Sequence, residues 1–319
     1  MTEISVIVPT YSVTQPLREC LESLALQSFP QDRFEILLVN NGGERHRREF
    51  LEPLLYEFPD RVRLISPRKN LGYSGGCRLG VENSEGKLLA FHNDDSIAHP
   101  DWLAKAWEEY GAVPDVGVLT CRIVDVDAPL IQHEGVRMTH SNALMWPNRY
   151  REVDEYETEW PGVPEYLSHG NLDLEFFSGD LWATPRAVWE EVGGLSLQYR
   201  PGYYEDTEYG LRCRQLGYRL RLLTGIAGRH YGSLTLGRGS KKYWVAFHRS
   251  RYLFLLRNQV PSSWTEILRA EARWWINQNA NGTPGACLRA FVSALPRFPG
   301  AILDRRRFSR KSAAPRNSD

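Results

Sequence analysis

The chain has 319 residues, with 39 basic and 39 acidic side chains and therefore no formal net charge. That length fits one α/β domain of about 230 residues plus an appendage, and the charge balance excludes a global field that would draw nucleic acid or an acidic ligand. Five scattered cysteines without CxxC spacing exclude a disulfide framework and a zinc cage.

The opening ISVIVPTY is strand-like with no basic leader, and no stretch of about 18 uncharged apolar residues occurs. A chain kept in the cytosol is expected, with surface contact to a membrane left open. Ile4 to Pro9 reads as a buried strand, followed by Thr10-Tyr11-Ser12 and a helical pattern through Leu17, Leu21, Leu24 and Leu26. A second strand from Phe34 to Val39 ends in Asn40-Asn41-Gly42-Gly43, which completes a strand, helix, strand unit suited to a parallel pair. A helix over 45–58, a strand from Val62 to Ser66, and the loop 67–76 repeat the unit. The glycines at 72, 75 and 76 let backbone approach a ligand or pack a helix closely, but they match no phosphate-loop pattern.

The fourth strand, Leu88-Leu89-Ala90-Phe91, turns polar at His92 and delivers Asn93-Asp94-Asp95-Ser96. Acids beyond a strand's carboxyl end can hold a divalent cation or the polar part of a ligand. Water-facing loop acids that cap the next helix are the plainer reading. A helix over 100–111 and a strand at Val116 to Cys121 follow, then a stretch over 125–170 without clear period, read as long loops over the sheet. That stretch holds six acids between Glu152 and Glu165. Regularity returns at Leu172 to Phe177, then Ser178-Gly179-Asp180 and a helix led by Pro185 and closed by Gly193-Gly194. Tyr203-Tyr204-Glu205-Asp206-Thr207-Glu208 opens a further helix, where capping alone accounts for the acids as well as chemistry does. A strand at Arg219 to Leu223 leads to His230, and from Lys241 the pattern is helical, with cations among aromatic and aliphatic residues.

Read together, VIVPTY, LLVNNGG, NLGYSGG, FHNDDS, FFSGD, YYEDTEYGLRCRQLGYR and HYGS resemble the inverting family-two glycosyltransferases of the GT-A fold, over roughly residues 4–257. The nearest branch moves rhamnose or galactofuranose onto lipid-linked or polysaccharide acceptors. The resemblance implies an α/β nucleotide-diphospho-sugar transferase fold, with a mostly parallel central sheet flanked by helices. It implies a catalytic domain over 1–240, its nucleotide-binding half reaching about 125, then a helical extension over 241–304. A basic tail over 305–319 without regular structure completes the chain.

By the same resemblance, Pro9, Thr10, Tyr11, Asn40 and Asn41 line the base pocket, and Asn70, Gly72, Gly76 and Arg78 approach the ribose and diphosphate. Asn93 and Asp94 also face the donor. Asp95 and His230 hold a divalent cation, Mg²⁺ or Mn²⁺, which neutralises the leaving diphosphate. Asp206 is the general base and Glu205 orients the acceptor or Arg212. Asp180 and Trp182 fall near the acceptor, Trp182 as a stacking face, with turn and core roles as the alternatives. The sequence departs from the family at Asn40 and Asn93, where Asp is usual, and at Arg78, where Asn is frequent.

The expected donor is a nucleoside-diphosphate sugar, dTDP-rhamnose or a UDP-hexose, and the acceptor a glycan or lipid-linked glycan. No nucleic-acid partner is expected. The aromatic and cationic residues of the extension suit a helix packed on the catalytic domain, a homo-oligomer face or a lipid interface, and Arg305 to Lys311 suit anionic lipid on the cytoplasmic face. Two rivals stand beside this reading: a nucleotidyltransferase, which lacks its basic glycine-rich signature here, and a non-catalytic carbohydrate-binding relative.

Overall fold

A computed structural model of the chain describes residues 2–11, 15–58, 61–127, 131–138, 143, 145–147, 172–232, 240–258, 264–277 and 284–312. Ser12, Ser233 and the acidic segment 152–165 lie outside them. The strands are β1 (Ile4–Thr10), β2 (Phe34–Asn40), β3 (Val62–Ile65), β4 (Leu88–His92), β5 (Ser96–Ile97) and β6 (Val116–Asp125). They continue with β7 (Ile131–His133), β8 (Val136–Met138), β9 (Met145–Pro147), β10 (Leu172–Asp173), β11 (Leu181–Pro185) and β12 (Arg219–His230). The helices are α1 (Gln15–Ala25), α2 (Gly43–His46), α3 (Glu52–Leu55), α4 (Gly72–Glu82), α5 (Trp102–Ala112) and α6 (Arg186–Val192). Then come α7 (Glu205–Gln215), α8 (Lys241–Arg257), α9 (Trp264–Asn277), α10 (Pro284–Ala294) and α11 (Phe298–Ser312).

The main sheet runs β10-β12-β6-β11-β4-β1-β2-β3. β1 to β4 pair in parallel, as the repeated strand-helix units predict, whereas β11 inserts antiparallel between β4 and β6. Every residue of β1 and β4 is buried, because helices cover both faces. Alternate β1 residues serve two cores: Ile4, Val6 and Val8 pack with α1 and α5, while Ile7 packs with α4, α6 and α7.

The strand expected at 172–177 is only β10, and the strand expected to stop at Leu223 continues to His230. The C-terminal extension is integral. α8 carries Leu253, Phe254 and Leu255 into a third core with Tyr199 and Tyr204, and the small residues Ala290, Ala294 and Ala301 of α10 and α11 join it. The tail expected to lack structure is helical to Ser312. Asp304, on α11, bonds Arg257 Nη1 at 2.6 Å, which anchors that helix to the body of the protein.

Candidate active site

Three pairings bring the strand-end residues together. β5 runs antiparallel to the end of β12, with Ser96 opposite His230, and Tyr231 N donates to Asp95 O at 3.1 Å. This sets His230 Nε2 3.1 Å from Asp95 Oδ1. β11 starts opposite the end of β4, with Leu181 opposite His92 and Asn93 N donating to Asp180 O at 3.0 Å. Asp180 therefore lies inside the cluster: its Oδ1 is 3.5 Å from His230 Nδ1 and accepts from Asn93 Nδ2 at 3.2 Å. An aspartate at 93 would instead set a second carboxylate against Asp180.

β7 supplies two partners that the sequence did not reveal. His133 Nε2 lies 2.5 Å from Asp180 Oδ2, and Gln132 Oε1 lies 3.0 Å from His230 Nδ1. Both fall in the stretch read as unpatterned, where the only local hint is Gln-His-Glu beside a short apolar residue pair. Burial alone would lower His230, but the carboxylates of Asp180 and Asp95 overcome it and push the imidazole up to about 9. Burial likewise works to raise Asp180, and His230 with His133 holds it well below the usual carboxylate range instead.

Among the described residues no group of three His, Cys, Asp or Glu side chains converges to hold a metal alone. With Nδ1 engaged by Gln132, His230 Nε2 and the Asp95 carboxylate remain as one imidazole and one oxygen ligand. That pair fits a divalent cation whose other positions are filled by oxygens from outside the protein.

The second part of the site is the start of α7. Tyr203 and Tyr204 both adopt left-handed backbone, with φ of 74° and 70°, a conformation that costs a non-glycine residue about 1–2 kcal/mol. Packing holds it: the Tyr204 ring lies 5.3 Å from Phe247 and 5.5 Å from Phe254 of α8, and its hydroxyl donates to Ala143 O at 2.6 Å. The turn aims Asp206 at the loop 178–180 and sets Glu205 beside it.

Asp206 Oδ2 accepts from Gly179 N at 2.8 Å and Oδ1 from Thr207 N at 2.6 Å. A Cβ on residue 179 would stand 3.1 Å from the Asp206 Cβ, so glycine permits this approach. Burial raises both acids; Asp206 adds its repulsion to Glu205, and Asp180 adds repulsion to Asp206. The backbone donors favour the ionised form of Asp206, while Glu205 Oε2 is buried with no partner. Burial and repulsion thus make Glu205 the protonated member of the pair and Asp206 the carboxylate.

The donor-side candidates divide. Tyr11 is 46% exposed and its N–H lies 3.4 Å from Asp94 Oδ2, so an exposed aromatic residue stands beside a half-buried acid. Burial pushes Asp94 up to about 7, with Asp95 adding repulsion and the Thr10 hydroxyl opposing it. Asn41 bridges two loops, accepting from Leu71 N at 3.0 Å and donating to Gly72 O at 3.2 Å; Asn70 Oδ1 accepts from Gly72 N at 2.7 Å.

Five of the expected donor-side residues have their contacts within the protein. The Asn40 amide is wholly engaged within its own loop and neighbour strand, by Gly42 N, His46, Gly43 O and Ser66. Arg78 donates to Gly193 O at 2.8 Å and Leu195 O at 3.2 Å, fastening the end of α6. Gly76 and Pro9 serve packing, because a Cβ at 76 would meet Pro9 Cβ at 3.0 Å and Asn41 Nδ2 at 2.9 Å. Gly72, at φ +70°, faces the Arg200 side chain.

The acceptor assignments change too. Trp182 is fully buried, stacked 4.3 Å from Phe91 and tilted against Tyr209 at 5.2 Å, and offers no face to a sugar. Asp180 is buried and in contact with His133, His230 and Asn93.

A sequence model of Glycosyl transferase family 2 matches residues 5–171, more than half of the chain. "Glycosyltransferase AglE" of Haloferax volcanii is 28% identical over 251 residues, covering 76% of this chain and 74% of that protein. An uncharacterized glycosyltransferase of Haemophilus influenzae is 30% identical over 32% of this chain and 31% of its own length. Among solved structures, the mannosyltransferase PcManGT of Pyrobaculum calidifontis, in complex with GDP-Man and Mn²⁺, aligns with a TM-score of 0.55 at 18% identity, covering 98% of this chain and 86% of that one. GalNAc-T7 with UDP, GalNAc and Mn²⁺ aligns at 0.60 and 14% identity, covering 88% and 57%. With the GT-A arrangement of sheet and helices and this match, the chain belongs to Glycosyl transferase family 2.

Proposed function

We propose that this glycosyltransferase carries out inverting transfer of a sugar from a nucleoside-diphosphate sugar, dTDP-rhamnose or a UDP-hexose, to a glycan or lipid-linked glycan. The observation that carries the reading is the junction at Gly179-Asp180: one residue bonds Asp206 through its N–H and the next contacts His230, 3.5 Å away. A proton acceptor and an acidic, imidazole-bearing cluster thus sit side by side at the ends of β4, β11 and β12.

In the reaction Asp206 takes the proton of the acceptor hydroxyl as it attacks the anomeric carbon from the side opposite the diphosphate. Glu205, kept neutral by burial, orients that hydroxyl. The donor's base lies against the exposed ring of Tyr11, and Asn41 with Asn70 fixes the loops that flank the diphosphate. Asp95 and His230 would hold Mg²⁺ or Mn²⁺, which would supply positive charge beside the diphosphate; the PcManGT and GalNAc-T7 structures contain Mn²⁺. Asp180 and His133 position His230. The reaction takes place on the cytoplasmic side of the membrane, where a lipid-linked acceptor is met.

The test is sugar transfer or donor hydrolysis with and without Mn²⁺, across nucleoside-diphosphate sugars. Turnover should require the ion and fall about 10²–10⁴-fold in Asp206→Asn, while a nucleoside diphosphate still raises that variant's melting temperature. Undiminished turnover in Asp206→Asn, or pyrophosphate release from a nucleoside triphosphate, would overturn the assignment.

A further inference from the structure

α10 is built inside out for a helix in water. Its face toward α8 is small: Ala286, Cys287, Ala290 and Ala294 are buried there, at the three- and four-residue spacing of one helical stripe. The large side chains of α10 and of the turn after it are mostly exposed, although the Phe291 ring also meets Tyr252 of α8 edge-on at 5.6 Å. Leu288 is 55% exposed, Phe291 41%, Val292 56% and Leu295 44%, and Ile302 and Leu303 on α11 extend the face at 43% and 54%. A helix of a water-soluble domain buries its large apolar residues and exposes small or polar ones. Small residues toward protein and large ones outward is the arrangement of helices whose outer surroundings are lipid. Ser293, on the outer side, returns its hydroxyl to Ala290 O at 2.9 Å and so asks nothing of water.

Charge distinguishes a bilayer from other coverings. Residues 264–312 hold nine Arg and Lys but three acids, Glu266, Glu271 and Asp304. Two of those acids are already paired with arginines of α8: Glu271 with Arg251 and Asp304 with Arg257. The surplus is cationic, and Arg289 lies exposed in the middle of the apolar face. Residues 285–305 are long and apolar enough by composition to cross a membrane. Yet α10 keeps one side on α8, and Pro296, Arg297 and Pro299 interrupt the run, which suits a helix lying in the plane of the headgroups.

We propose that the outer face of α10 and the start of α11 is a docking surface for a bilayer rich in anionic phospholipid. The apolar side chains enter the acyl boundary and the arginines meet lipid phosphates. α8, against which α10 rests, is the helix that backs the Tyr203-Tyr204 turn, so the docked protein has its catalytic acids braced on a membrane-seated element.

The test uses the whole chain and needs no donor, so it is independent of the chemistry proposed above. The protein is sedimented with vesicles of phosphatidylglycerol mixed with phosphatidylcholine, and with phosphatidylcholine alone. Binding should require the anionic lipid and weaken with salt. It should fall about tenfold or more in Leu288→Gln/Val292→Gln/Leu295→Gln, with thermal unfolding unchanged because those side chains are exposed. Wild-type protein that stays in the supernatant with anionic vesicles would overturn the proposal. So would a stable dimer in light scattering that the triple variant converts to monomer, since a second copy would then be the covering.

Discussion

Replacing Glu208 by Gln tests how the acidic helix is held. Glu208 lies on α7 two residues after Asp206, and its carboxylate takes Arg257 Nε at 2.7 Å, Arg257 Nη2 at 3.1 Å and Asn258 Nδ2 at 3.2 Å, with Arg212 Nη2 3.2 Å away. The side chains of Glu208 and Arg257 are each 2% exposed. Burial works against charge on both, yet the arginines hold Glu208 below its usual range and Glu208 holds Arg257 above its own.

Removing one member of such a buried pair costs about 3–5 kcal/mol, because the other charge is left without a partner. Arg257 retains Asp304 on its Nη1, so the lower end, about 3 kcal/mol, is expected. That is a factor of more than about 100 in the folding equilibrium. Urea unfolding followed by tryptophan fluorescence measures it as a lower midpoint at unchanged slope. Arg257→Gln should cost a similar amount, and the double variant little more than either single one.

The pH dependence has a definite sign. The folded pKa of Glu208 is depressed, so its stabilisation is present above the unfolded value of about 4.3 and is lost as pH falls through the lower folded value. The gap between wild type and Glu208→Gln should therefore close on acidification. A cost below about 1 kcal/mol at pH 7, or simple additivity in the double variant, would refute the argument.

Other outcomes follow from the same geometry. Burial raises Asp206, and a base must be deprotonated, so kcat/KM should rise with pH along a limb lying above the ordinary aspartate value of about 3.9; a profile flat down to pH 4 would contradict this. Trp182→Ala should lower stability by about 3–5 kcal/mol and leave the acceptor KM of the folded fraction unchanged, whereas a sugar-stacking role predicts a raised KM. Asp95→Ala and His230→Ala should each weaken Mn²⁺ binding, read by the free-ion resonance signal, and chelation should stop turnover reversibly. His133→Ala should slow turnover while Tyr11→Ala raises donor KM, since one acts through Asp180 and the other borders the open donor side.

Much of the frame was readable from local pattern. Apolar runs ending abruptly in polar residues give β1 to β4, their intervening helices fix parallel pairing, and the acids after β4 and at the start of α7 stand where ligands bind in such sheets. The helical extension was expected over 241–304, and its cationic aromatic composition marked it as unusual.

What chain order alone could not supply is partner choice. Asn40, Arg78 and Gly76 have the composition of ligand contacts, but their bonds and neighbours are other parts of the protein, at 66, 193 and 9 in the chain. The antiparallel entry of β11 between β4 and β6 decided the most. Its register sets Trp182 opposite Phe91, in the core, and brings Asp180 to Asn93. Side chains alternate faces along a strand, so a shift of one residue would exchange those fates. His133 reaches Asp180 only because β7 folds back on β6, with His133 opposite Ile123. Sequence thus determined which residue types stand at strand ends and helix starts, since those follow from local periodicity; register between distant strands determined which of them meet, since that depends on pairings that no local window contains.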